Sequence, residues 1–158
     1  MKFFPLVFFL VSCAHAETKQ EMGNPASILC VQKGGLVSIA KDHDGNEGGM
    51  CNLDRAMVPE WTLYHELNGT KTIAIKKYLS QTQTEPSSTP GQSMSNPATL
   101  NCIKVGGKVE IYWTEQGQFG ICKFEDKSEI EEWTLFHGAS FSGNAKLTAL
   151  VSSPTPNP

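Results

Sequence analysis

Apolar and polar residues alternate through Val109, Glu110, Ile111, Tyr112 and Trp113, which predicts a β-strand with Val109, Ile111 and Trp113 on one face. A turn at Gln116, Gly117 and Gln118 should lead into a second, antiparallel strand over residues 119–124, with Cys122 and Phe124 sharing a face by the period of two. Upstream, Asn96 is a good N-cap and Pro97 suits the first position of a helix of about two turns. Gly106 and Gly107 would end that helix, because glycine takes a positive φ without steric cost. Downstream, Ser128, Glu129, Ile130 and Glu131 fit a capping box. Ile130, Trp133 and Phe136 or His137 then fall at spacings of three and four, the apolar stripe of a second helix that Gly138 would stop.

The pattern occurs twice. Asn24, Pro25, Ala26, Cys30, Gly34, Gly35, Val37, Ile39, Gly45, Gly48, Trp61, Thr62, Leu63 and His65 return at a constant offset as Asn96, Pro97, Ala98, Cys102, Gly106, Gly107, Val109, Ile111, Gly117, Gly120, Trp133, Thr134, Leu135 and His137. Only Cys51 and Cys122 break the offset, by one residue. In the first copy Pro59 replaces the capping box and Gly69 is the expected stop. The expected fold is α+β, two tandem helix–hairpin–helix units, each stapled by one disulfide. Residues 71–75 alternate and predict an additional strand, which residues 146–151 mirror weakly.

Around these units the composition changes. Lys2 and an apolar run read as an export signal over residues 1–16, too short to cross a bilayer. Leu10, Val11, Ser12 and Cys13 have the shape of a lipobox, which would place a lipid on Cys13, while Ala14, His15 and Ala16 offer a competing site whose use would give a secreted protein. The first copy is bounded at 24–80 and the second at 96–151. Between them, residues 81–95 form a Ser-, Thr-, Gln- and Pro-rich linker, and residues 152–158 a tail expected to be disordered.

Charge narrows the classes of partner. The chain carries 13 Lys and Arg against 16 Asp and Glu, an acidic balance that argues against nucleic acid, whose phosphates need neutralising cations. The acids gather at Glu125, Asp126, Glu129, Glu131 and Glu132, where a helix N-terminus would favour them. Beyond Cys13 there are four cysteines, enough for two disulfides and three pairings. The repeat makes Cys30–Cys51 and Cys102–Cys122 the parsimonious pairing, each closing a loop worth about 3 kcal/mol in the chain-entropy model.

The motifs NPA(S/T)xxCxxxGG, GxxGxC and SxxEEW resemble the small cysteine-rich bacterial domain of unknown function found in exported lipoproteins and often given a haemolysin label. The resemblance covers nearly all of both copies and implies export and a disulfide-stapled α+β fold, with no activity attached. Typical members carry two further cysteines; Ile130 and Ser140 stand at those places in the second copy. Nothing in the chain reads as a pore former.

Sites for chemistry are weighed against packing. His65 and His137 follow Trp61 and Trp133 by four residues and lack a second ligand at metal spacing, so they read as packing or surface residues. Trp61 and Trp133 are expected to be buried structural anchors. Asp42, His43, Asp44, Gly45, Asn46 and Glu47 superficially suggest a calcium loop, but Gly45 is misplaced for one, and a hairpin turn is expected. No G-x-S-x-G occurs, and the pairing leaves no free thiol in the folded part. The expected protein is therefore not an enzyme and needs no metal or cofactor. It is a binding or structural protein of the cell envelope, in periplasm or outer membrane, meeting an envelope or secreted protein and touching membrane only through a lipid. The rival is a secreted inhibitor of a hydrolase, a protease or lysozyme.

Overall fold

A computed structural model describes residues 23–82 and 96–153. The signal with Cys13, nearly all of the 81–95 linker and residues 154–158 of the tail lie outside the described residues.

The first copy runs α1 (Pro25–Gln32), β1 (Leu36–Lys41), β2 (Glu47–Leu53), β3 (Ala56–Pro59), α2 (Glu60–Leu67) and α3 (Ile73–Ser80). The second runs α4 (Pro97–Lys104), β4 (Lys108–Thr114), β5 (Gly117–Lys123), β6 (Glu129–Glu131), α5 (Glu132–His137), a 3-10 turn (Ser142–Asn144) and α6 (Ala145–Ser152). Asn24 and Asn96 cap their helices as expected, each side chain accepting the N–H of Ala26 or Ala98 at 3.0 Å.

Helix–hairpin–helix is not the architecture. Each copy contributes a third strand and a third helix, and all six strands join one sheet in the order β3-β2-β1-β4-β5-β6. The sheet is antiparallel throughout, and β1 meets β4 where Lys41 faces Trp113, two positions equivalent by the repeat. A pseudo-two-fold axis therefore passes between them. The outer strands β3 and β6 curl back towards each other, so the sheet is barrel-like and nearly closed.

The expected capping box is strand instead. Ser128 continues the ladder through its carbonyl, which accepts Phe124 N–H at 3.0 Å, and its hydroxyl accepts Ala74 N–H at 2.9 Å. Glu131, expected inside the helix, is its N-cap and accepts the N–H groups of Trp133 and Thr134 at 2.9 and 2.7 Å. Residues 71–75 do not form a strand either. Thr72 caps α3, and Ala74, Ile75 and Tyr78 are buried at helical spacing.

The register also explains the broken cysteine offset. Ile39 faces Gly49 and Val37 faces Cys51 in the first copy, as Ile111 faces Gly120 and Val109 faces Cys122 in the second. Gly49, not Gly48, is thus the equivalent of Gly120. The β1–β2 turn of the first copy is one residue longer, and its β2–β3 turn one shorter, so the copies fall back into step before α2 and α5.

Both disulfides, Cys30–Cys51 and Cys102–Cys122, lie in one core cluster with Leu53, Val58, Leu63, Ile75 and Tyr78 of the first copy and Ile130, Leu135 and Leu147 of the second. The copies therefore share a core rather than folding side by side. The tryptophans are not buried anchors: Trp61 is 46% and Trp133 40% exposed. The inward positions of these helices belong to Thr62, Leu63 and Glu66, and to Thr134 and Leu135, which turns Trp61 with His65, and Trp133 with His137, to the outer side.

Candidate functional site

Two buried carboxylates occupy equivalent places and are fully engaged. Asn24 Nδ2 and Ser27 Oγ donate to Glu60 at 2.5 and 2.6 Å, and Asn96 Nδ2 and Thr99 Oγ1 donate to Glu132 at 2.7 and 2.6 Å. Each carboxylate rests on a glycine: a Cβ on Gly49 would lie 2.3 Å from Glu60 Cδ, and one on Gly120 2.5 Å from Glu132 Cδ. The pair ties the first helix of each copy to the second and satisfies a charge that burial would otherwise penalise. These glutamates are structural. The sequence carried their signal in the recurrent N-P-A-S/T and E-W motifs, but the partner relation between the two motifs is visible only in the fold.

The candidate site is a cleft of about 470 Å³ where the copies meet, within the range of small-ligand sites. Gly48, Gly49 and Met50 of β2 line it beside Pro59, Trp61 and His65. The second copy supplies Tyr112, Asp126 and Lys127 of the β5–β6 loop, and Glu129 at the start of β6. Trp61 packs against Tyr64 and His65 with ring centroids 5.4 and 5.9 Å apart, leaving an aromatic wall on the rim.

Most charges on this lining are committed. Asp126 Oδ2 accepts Ile73 N–H at 2.7 Å and Oδ1 accepts Ser128 N–H at 2.9 Å. Burial works against its ionised form, but these bonds prevail and hold its pKa below the usual carboxylate range. Lys71 pairs with Glu66 at 3.0 Å. Lys123 bridges Glu110 and Glu129 and stands 5.4 Å from the Tyr112 ring centroid. Burial opposes the Lys123 charge, but the bonds to Glu110 and Tyr112 and the Glu129 charge win and raise its pKa. Burial raises the pKa of Glu129 despite Lys123, and that of Tyr112 likewise.

The other residues singled out from the sequence are not brought to this cleft as a reactive set. His137 stacks on Phe141 at 4.5 Å and lies in the second copy's equivalent region. Asp42 closes its hairpin turn on Asn46 and Asp44, and no group of three metal-binding side chains occurs among the described residues. Of the acidic cluster, Glu131 and Glu132 are buried in hydrogen bonds. Tyr112, Lys127 and Thr62 were missed as site residues, since nothing in their local sequence marks a surface contributed by two copies.

No curated protein and no solved structure matches the chain. One family model matches twice, over residues 21–66 and 93–139, together more than half of the 158 residues. The matched segments end at α2 and α5, so α3, α6 and the interlock they make lie beyond them. The chain belongs to the family described as Domain of unknown function (DUF333), in two copies.

Proposed function

We propose that this is a non-enzymatic binding protein of the bacterial cell envelope, exported and held at a membrane by a lipid on Cys13. The observation that carries the reading is the contrast between polar groups and cleft: the recurrent buried carboxylates are bound within the fold, whereas the aromatic-walled cleft stands open. Both disulfides support an oxidising compartment outside the cytoplasm, since such bonds persist there. The lipobox-like run before Cys13 supports the anchor.

Two measurements test it. Cys13→Ala should move the protein from the membrane to the soluble fraction; wild type and variant both soluble would instead favour processing after Ala16. Immobilised protein should retain a component of envelope extract that a Trp61→Ala protein does not retain. Equal retention by both proteins, or conversion of an extract component to product, would contradict a binding role for the cleft.

A further inference from the structure

The duplication provides an internal comparison for the cleft. The strand registers that align Gly49 with Gly120 align Gly48 with Phe119, and cross-strand pairs are Ala40 with Gly48 in one copy and Tyr112 with Phe119 in the other. Beyond α2 and α5 the N-caps of α3 and α6, Thr72 and Asn144, are equivalent, which aligns Gly69 with Phe141. In the second copy both places hold benzyl groups. Phe119 packs on Tyr112 with centroids 6.3 Å apart, and Phe141 lies 4.5 Å from His137. In the first copy both are glycine: Gly48 lines the cleft with His65, and Gly69 immediately precedes its lining residues Thr70, Lys71 and Thr72. A Cβ on Gly48 would meet only Met50 Cε, at 3.8 Å, and one on Gly69 nothing within 4 Å.

A frame that packs two benzyl rings in one copy, and lacks both in the other, leaves a space suited to an aromatic ring. Charge adds a second selection. Glu129 and Lys71 are paired with opposite charges within the fold and Asp126 turns its carboxylate oxygens to the Ile73 and Ser128 N–H groups, whereas Lys127 is exposed and forms no ion pair among the described residues. The charged side chain on the lining that still has its hydrogen-bonding groups free for a ligand is thus the Lys127 cation, which favours an acid.

We infer that the cleft beside Trp61 binds a small aromatic carboxylate, its ring over Gly48 against Trp61 and His65 and its acid group at Lys127. The inference rests on the binding role proposed above and names the ligand chemistry of the same cleft.

The probe is 3-phenylpropionate, with 3-phenylpropanamide as its neutral analogue and propionate as the acid without the ring. Each is titrated into the full mature chain carrying Cys13→Ala, and amide and indole N–H signals are followed by NMR. The acid should shift Gly48, Gly49 and the Trp61 indole, the amide should bind at least fivefold more weakly, and propionate should give no shifts. Gly48→Phe, which copies the second copy's residue into an open position, should abolish binding. Lys127→Gln should reduce the acid to the affinity of the amide and leave signals elsewhere unchanged. Equal binding of acid and amide, survival of the shifts in Gly48→Phe, or absence of any shift with the acid would overturn the inference. Should Gly48→Phe not fold, Lys127→Gln decides alone. A protein that retains envelope material through Trp61 yet ignores the acid keeps the binding role and loses this ligand.

Discussion

Glu131 is buried and accepts hydrogen bonds from Trp133 N–H, Thr134 N–H and the Thr134 hydroxyl at 2.9, 2.7 and 2.9 Å. Burial nevertheless raises its pKa above the ordinary glutamate value, with these donors opposing the shift. Because the folded-state pKa exceeds the unfolded one, the contribution to stability is complete below the unfolded value, about 4.3, and is lost as pH rises through the folded one. Glu129, raised by burial, acts in the same direction, whereas lowered Asp126 stabilises only above its own range. The thermal midpoint should therefore rise as pH falls from neutral towards about 5, and Glu131→Gln should flatten that gradient. Identical gradients in the two proteins would contradict the assignment. At this scale the sequence was legible where one residue acts locally, as in the Asn24 and Asn96 caps. It was misleading for Trp61 and Trp133, since size and apolarity predict burial while helix phase depends on what the helix faces.

Among elements, the closure of the sheet rests on a reciprocal exchange. Thr134 Oγ1 on α5 accepts Met57 N–H of β3 at 2.9 Å, and Thr62 Oγ1 on α2 accepts Glu129 N–H of β6 at 3.0 Å. Each edge strand thus finds its missing acceptor on the other copy's helix, a use of the recurrent Trp-Thr-Leu that the repeat displayed without explaining. Third helices are shared in the same way: Asp126 and Ser128 of the second copy hold Ile73 and Ala74 N–H at the start of α3, while Arg55 N–H of the first donates to Gly143 before α6. Thr62→Val or Thr134→Val keeps the shape and removes the acceptor, so each should cost about 1–3 kcal/mol through an unsatisfied N–H. Hydrogen exchange should quicken at Glu129 in the first variant and at Met57 in the second. Unchanged protection at both amides would show that the edges are held otherwise. A capping box and a strand start look alike in sequence, and Ser128 took the second course because its carbonyl found Phe124 across the ladder.

For the whole molecule, the repeat made the disulfide pairing and the α+β class legible, but tandem copies joined by a polar linker left open whether they pack together. What decides it is area. A hairpin with two short helices leaves the apolar sides of Val58, Leu63 and Ile130 uncovered, and each copy covers the other's through α3 and α6. The cleft follows from the same union, because neither copy alone has both Trp61 and Tyr112. The most direct test of this shared architecture is calorimetric unfolding of the intact mature chain with both disulfides formed. A single transition whose calorimetric and van't Hoff enthalpies agree is the predicted result, with Leu135→Ala lowering the midpoint of that one transition. Two resolved transitions, only one of them shifted by Leu135→Ala, would contradict it.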